Sequence, residues 1–320
     1  MFLLNLKSND PFFNLAVDEY LLKNKNENFL VLGINKDSVI IGKHQVAHRE
    51  TNTKFVTEHN IPIIRRISGG GTVFHDKGNL NFSFILNREK GKQIDFRKYT
   101  LPVITFLSTL GVKAQFEGKN DLKVGGLKIS GNAEHVYHER VLHHGTLLFD
   151  ADLELLKGSI RKDTGKYDTR AINSIPSSVM NLKNVLKNVL KNVDDIYQFK
   201  SVMTGWFLNN FPGVETGTLT EEEKENVESL AELKYRTWEW NYAYGPEYHF
   251  TNRFEVNGKP CSSRLFVKEG IIRECEIEGF DELIAGGNKF IGCRHMVEDL
   301  QELFRKENIL TSDFDIYNFF

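Results

Sequence analysis

The chain has 320 residues, 40% hydrophobic and 26% charged, with a formal net charge of -2. That composition is globular, enough for one large domain and a small second one, and it lacks the basic excess that nucleic-acid binding selects for. Three cysteines, Cys261, Cys275 and Cys293, form no CxxC pair, which suits a reduced, cytoplasmic protein and leaves no thiol nucleophile before residue 261.

The opening MFLLNLKSNDPFF has no signal-peptide pattern, and no apolar stretch reaches the ~20 residues of a membrane span. Asn9 or Asp10 caps a helix with Pro11 in its first turn, and Phe13, Val17, Tyr20 and Leu21 recur at helical spacing. The Asp18–Glu19 pair reads as a helix face rather than an acid–base pair. FLVLGI (Phe29–Ile34), SVIIG (Ser38–Gly42), IPIIRRI (61–67) and NLNFSFIL (79–86) read as strands. In the last, Leu80, Phe82 and Phe84 alternate with Asn79, Asn81 and Ser83, the mark of a half-buried strand. A helix is expected from about Phe96 to Leu110. Two short strands follow in KNDLKVGGLKISG (Lys119–Gly131) around Gly125–Gly126, then a strand at HHGTLLF (His143–Phe149) and a short helix in DADLELLKG closed by Gly158.

From Ser159 to Ser178 the pattern breaks, and the stretch reads as a long mobile loop. LKNVLKNVLKN (Leu182–Asn192) reads as a solvated turn or helix edge. Thr220 and Glu223 make a capping box for EEEKENVESLAEL. After RTWEWNYAYGPEY come a hairpin turn at Asn257–Gly258, further strands, and an amphipathic helix marked by Met296, Leu300, Leu303 and Phe304. A boundary near Gly245–Glu247 divides the chain into residues 1–246 and 247–320.

Chemistry enters at RRISGGGTVFHDKGNLNFSF (Arg65–Phe84). The glycine loop lacks both a following helix and a Gly-Lys-Ser/Thr ending, so it is neither a P-loop nor a dinucleotide fingerprint. Consecutive glycines let successive N–H groups form an anion-binding nest, and Arg66 adds a planar fork for carboxylate or phosphate. Lys128 lies among small residues, Gly126 to Gly131, preceded by Asn120 and Asp121. Taken singly, these features read more readily as a glycine-rich turn and a solvated lysine. His135, His138, His143 and His144 do not have zinc spacing and read as exposed strand or turn histidines. An anion nest, two fixed cations and no nucleophile together suit phosphoryl or acyl-adenylate chemistry, where positioning and charge stabilisation dominate.

RRISGGGTVFHDKGNLNFSF, NDLKVGGLKISGNA, HHGTLLFDADLELL and SIPSSVMNL (Ser174–Leu182) stand in the order and spacing of lipoate–protein ligases, which the whole chain resembles. The resemblance implies the biotin/lipoate-ligase catalytic fold: α/β (α+β), with a mixed, largely antiparallel sheet, related to class II synthetases, plus a small α+β C-terminal domain. It implies an ATP-dependent ligase that converts lipoate to lipoyl-AMP with loss of pyrophosphate. The lipoyl group then passes to a lysine on the lipoyl domain of a 2-oxoacid dehydrogenase E2 subunit or on the glycine-cleavage H protein.

Carried over by position, Lys128 is the catalytic residue. Arg66, Gly71, Thr72, Val73, Phe74, Asn120, Asp121 and Lys128 bind ATP or the adenylate, and Arg66, Ser68, His75, Lys128, His144 and Thr146 bind lipoate. No protein metal site is implied. Mg²⁺ is expected to arrive with ATP, Asp121 being a candidate contact. The Ser159–Val179 stretch matches the family's loop that closes over the adenylate, and a monomer without nucleic-acid or membrane partners is expected. Lys157, Arg161, Lys162, Lys166 and Arg170 suggest a basic surface for an acidic acceptor domain.

An octanoyl or lipoyl transferase of the same fold would need a cysteine carrier, which the cysteine positions disfavour; a non-catalytic lipoate or nucleotide binder is the other alternative. One departure stands out. Gly33 falls where many relatives carry a tryptophan against the dithiolane, so a wider acyl pocket and broader acyl specificity are expected, unless Phe12 or Phe29 fills the space.

Overall fold

Asp10 caps the first long helix, Pro11–Asn24, by accepting a hydrogen bond from the Phe12 N–H; proline in the first turn sacrifices no donor the helix needs. The computed structural model describes residues 1–88, 96–118, 120–161, 163–186, 193–279, 283, 286–307 and 314–320. Lys119, at the start of the expected hairpin, lies outside them.

The helix packs on an eight-stranded sheet. Numbered along the chain, its strands run in the order β12 (Glu215–Gly217), β1 (Phe2–Asn5), β2 (Phe29–Ile34), β6 (Asn79–Asn87), β10 (Arg140–Leu148), β9 (Leu127–Tyr137), β8 (Asp121–Val124) and β7 (Gln115–Glu117). Only β12–β1–β2 are parallel; the other neighbours are antiparallel. Leu15, Val17, Leu21 and Leu22 of the helix meet Val31, Ile85 and Leu142 on one face. On the other, Val103, Phe106, Phe199, Met203 and Phe207 cover Leu30, Leu32, Leu80, Phe82 and Phe84. Those side chains come from the helices Phe96–Thr109 and Ile196–Asn210.

Both faces are therefore covered, and this corrects the reading of β6 as half-solvated. Asn79 and Ser83 are buried. Asp18 and Glu19, read as a helix face, lie on a buried one.

A second sheet, β4 (Ile63–Arg65), β3 (Ser38–Ile41) and β5 (Val73–His75), carries the glycine loop between its outer strands. Its core is Val39, Ile41, Val56, Ile61, Ile63 and Phe74. A third sheet orders β11 (Tyr167–Asp168), β13 (Tyr248–Val256), β14 (Lys259–Lys268) and β15 (Ile271–Glu278). Asn257 and Gly258, both with positive φ, turn β13 into β14 as expected. Phe290, Leu300, Phe304 and Phe319 complete this small C-terminal domain.

Three local readings change. The helix Leu153–Ser159 runs through Gly158. Glycine is needed there because a Cβ would lie 2.4 Å from the Phe55 ring. The Ser159–Ser178 stretch is not featureless, because β11 pairs Tyr167 with Phe250 and Asp168 with His249. In the Leu182–Asn192 run, Lys183–Leu186 is one helical turn with Leu182 and Leu186 buried; residues 187–192 lie outside the described ones. Among the described residues no helix is long and apolar enough to cross a membrane.

Candidate active site

Lys128 reaches the site through a fault in the sheet. Leu122 of β8 lies opposite Ser130 of β9, but Lys123 lies opposite Lys128, so β9 carries an irregularity between them. Strict alternation would send residue 128 to the face opposite Gly131; a bulge re-aims it. The Lys128 ammonium pairs with Asp121 Oδ1 at 2.8 Å. It also lies directly over Gly131, where a Cβ would be 3.1 Å from both Lys128 Cε and Nζ and 3.7 Å from Val73 Cγ1.

The glycine loop is held by Arg66. Its Nε donates to Ser68 Oγ at 2.9 Å, Nη1 to the Ile40 carbonyl at 3.1 Å, and Nη2 to the carbonyls of Gly69 and Gly71, both at 2.7 Å. Drawing those carbonyls onto the guanidinium leaves the Gly69, Gly70 and Gly71 N–H groups without hydrogen-bond partners among the described residues. Of the three, only Gly70 has positive φ, +89°. The preceding Arg65, absent from the sequence-derived set, braces the loop from behind. It donates to the carbonyls of Gly42, Lys43, Gln45, Trp240 and Asn241 at 2.7–3.1 Å. Burial lowers both guanidiniums to about 10. Their hydrogen bonds go to carbonyls and a hydroxyl, so the positive field beneath the loop is not cancelled at contact range by a carboxylate.

Ser68 accepts from Arg66 and lies 2.6 Å from His144 Nε2. On its other side the His144 ring places Nδ1 3.4 Å from Asp18 Oδ2. Asp18 also accepts from Ser83 Oγ at 2.8 Å. His75 is held in a second chain: its Nδ1 accepts from Asn35 Nδ2 at 2.9 Å, and Asn35 Oδ1 accepts from Asn14 at 2.7 Å. Burial first, then the nearby Arg66 charge, pushes His75 down to about 3, so it serves as a neutral hydrogen-bonding group.

The segment after β11 closes over this floor. Ser174 Oγ accepts from the Thr72 N–H at 2.9 Å and from Gln45 Nε2 at 3.1 Å, and donates to Glu50. Glu50 is buried; burial raises its carboxyl, an effect the Ser174 hydroxyl opposes. Further along, Ser178 and Met180 bracket Lys128: its N–H donates to the Ser178 carbonyl at 2.9 Å, and its carbonyl accepts from Met180 at 3.0 Å.

Most of the expected residues thus meet. Arg66, Ser68 and His144 form one chain, while Val73, Gly131, Lys128 and Asp121 form a contiguous group. Thr146 Oγ1 accepts from the Gly131 N–H at 3.2 Å, and Asn120 Nδ2 donates to the Asn132 carbonyl at 2.7 Å, so both shape the β9 backbone. Phe74 does not join them: it is buried in the core of the second sheet, and only its backbone borders the loop. His143 is buried beside Glu134 at 2.8 Å rather than exposed; His138 does sit in an exposed turn. Among the described residues no three His, Cys, Asp or Glu side chains group as metal ligands.

Of the expected basic surface, Arg161 is turned inward onto the His48 and Thr51 carbonyls and Lys157 pairs with Glu154, while Lys162 lies outside the described residues. Beside Gly33, a Cβ would find Leu6 Cδ1 at 3.4 Å and Asn14 Nδ2 at 3.7 Å. Leu6, rather than Phe12 or Phe29, therefore occupies that space, and a tryptophan there would have to displace it. Residues that sequence reasoning missed are Asp18, Gln45, Glu50, Arg65 and Ser174. Only the arginine doublet carried a local signal.

The arrangement offers free N–H donors over a buried cation, an ammonium paired with a carboxylate, and a covering segment. That is a site for an anion whose charge grows during reaction. The family model described as the lipoyl protein ligase A/B catalytic domain matches residues 10–208. Lipoate–protein ligase 1 of Staphylococcus aureus strain Mu50 is 36% identical over 327 aligned residues, covering 100% of this chain and 95% of that protein. A crystal structure of lipoate-protein ligase A bound with ATP superposes with a TM-score of 0.61 at 27% identity, over 75% of this chain and 97% of its own. A bi-partite lipoate protein ligase of Thermoplasma acidophilum, described with its E2 lipoyl domain, gives a TM-score of 0.61 at 26% identity, over 75% and 95%.

Proposed function

The chain belongs to the lipoate–protein ligase family, and on that premise we propose how its residues divide the work of an ATP-dependent ligase that joins lipoate to protein. In the first step a lipoate carboxylate oxygen attacks the α-phosphorus of ATP, the bond to the β-phosphate oxygen breaks, and pyrophosphate leaves with the electron pair. In the second, a lysine amine attacks the acyl carbon of lipoyl-AMP, the carbon–oxygen bond to phosphate breaks, and AMP leaves while the amine loses a proton. Lys128 supplies the charge that lets carboxylate and α-phosphate approach. The N–H groups of Gly69 to Gly71 receive phosphate oxygens, and Arg66 holds the loop that presents them. Ser68, His75 and His144 line the acyl carboxyl end. Mg²⁺ bound to the triphosphate would neutralise part of its charge.

The acceptor is a lipoyl domain of an E2 subunit or the H protein, the relative with an E2 lipoyl domain supporting the first. We take residues 1–246 as the catalytic unit and 247–320 as accessory, in a cytoplasmic monomer. The observation that carries the reading is the Lys128 ammonium, set by the β9 fault over Gly131, the position that Val73 also approaches. The transferase reading is weaker because all three cysteines lie beyond residue 260, and burial raises their thiols, Cys275 to about 12. Intact mass of a lipoyl domain incubated with the chain, MgATP and lipoate tests it. A lipoyl adduct is expected, with pyrophosphate released only when lipoate is present; a binder would give neither.

Gly131→Ala follows from the same geometry. The new methyl would crowd the lysine's flexible end by a few tenths of an ångström. The rate of lipoate-dependent pyrophosphate release is expected to fall about tenfold to a hundredfold. The urea midpoint should move by the equivalent of about 1 kcal/mol or less, since only a flexible side chain must yield. Full activity would mean that the ammonium's place over Gly131 is not its working position.

A further inference from the structure

We propose that Gln45, Glu50 and Ser174 form a latch that fastens segment 171–182 onto the glycine loop and so sets how long the activated acyl group is kept from water before the acceptor lysine arrives. The guarding role rests on the adenylate-forming reading above; the fastening itself does not.

Ser174 uses its full hydrogen-bonding capacity here, accepting twice and donating once, with partners on two stretches of chain, Gln45 and Glu50 on one and Thr72 on the other. Gln45 Nε2 also donates to the Ile172 carbonyl at 3.3 Å, while its Oε1 accepts from the Gly42 N–H at 2.7 Å and from Thr72 Oγ1 at 3.0 Å. Thr72 Oγ1 stands 3.4 Å from Glu50 Oε2 as well. Gly71 permits the approach, since its Cβ would lie 3.2 Å from Ser174 Oγ and 3.3 Å from Ser174 Cα.

Apolar burial does little to hold the segment between Ile172 and Ser178. Ile172 is 46% exposed and Ile175 82%. A stretch tied down by polar contacts rather than packing opens at low free-energy cost. Polar contacts on both sides bracket the chemistry: Ser174 on the glycine loop, with the Ile172 N–H on the His44 carbonyl at 3.3 Å, and Ser178 with Met180 on the Lys128 backbone. Releasing Ser174 frees the stretch between Ile172 and Ser178, over a mixed anhydride that water can hydrolyse. Gln45, Glu50 and Ser174 are thus positioning residues, acting through the segment and not on the reacting atoms.

The test uses the full chain with Ser174→Ala and Ser174→Thr. In the ligand-free protein, limited proteolysis within 171–182 is expected to be about tenfold faster in the alanine variant and to return toward wild type with threonine. In single turnovers with MgATP, lipoate and a lipoyl domain, wild type should form about one AMP per lipoylated domain, and Ser174→Ala several-fold more. The pyrophosphate burst should stay within about twofold. Unchanged cleavage in Ser174→Ala overturns the latch. Faster cleavage with an unchanged AMP-to-product ratio overturns the guarding role. So does a faster pyrophosphate burst at constant ratio, which would make the hydroxyl a placeholder for phosphate. A wild type that releases no pyrophosphate with lipoate overturns the adenylate reading and the guarding role together, while the cleavage comparison still decides the fastening.

Discussion

Lys128→Ala is expected to cut lipoate-dependent pyrophosphate release about a hundredfold to a thousandfold, about 2.7–4 kcal/mol of lost transition-state stabilisation. Two anionic groups at ~4 Å repel by about 4 kcal/mol at the effective dielectric of a protein surface, and in the proposed mechanism Lys128 is the cation between them. The side chain is 20% exposed and its one ionic partner, Asp121, 15%. Removing it therefore opens no sealed cavity and strands no deeply buried charge, and the urea midpoint should hardly move. Lys128→Arg is expected to fail too, because a guanidinium is wider than the ammonium that now sits 3.1 Å from the Gly131 Cβ position. Retention of more than about a tenth of wild-type activity in the alanine variant would remove Lys128 from the chemistry.

Arg65→Met is expected to lower unfolding stability by about 3–5 kcal/mol, the range for stranding buried polar partners. Arg65 is fully buried, and its guanidinium serves five carbonyls from two distant stretches, 42–45 and 240–241. Methionine matches much of the volume but none of the donors, so the carbonyls lose partners where water has little access. Lysine should rescue little, having three donors at one point instead of five in a fork. Equilibrium urea unfolding measures it. A loss under about 1 kcal/mol would mean that those carbonyls find water.

What was legible in the sequence was local. Asp10 with Pro11, Thr220 with Glu223, and Asn257–Gly258 each carry their mechanism within a few residues, and each forms as expected. The glycine loop and Lys128 were legible as motifs, although not the irregularity of β9 that sets the lysine over Gly131. The Asn79–Asn81–Ser83 face misled because alternation reports two different faces, not which one meets water; here the polar face belongs to the buried layer around Asp18. Asp18 was hidden for the same reason. Gln45, Glu50 and Ser174 were invisible because their bonds join residues more than a hundred positions apart, and nothing in one chain's local pattern records such a pairing. Arg66 was legible as a cation beside the loop, yet its donors are spent on the loop's own carbonyls and hold it in shape.

The pairing of β11 with β13 also has a consequence for the order of synthesis. Phe250, partner of Tyr167, is made roughly eighty residues later, which at about 5–20 residues per second is a delay of ~4–16 s. By then every strand of the eight-stranded sheet, including β12 at its edge, has been synthesised. A nascent chain can therefore hold a finished catalytic sheet while the stretch that leads into its cover still lacks the strand it pairs with. During that interval the residues around Tyr167 lack their strand partner and are open to proteases and to strand-seeking neighbours.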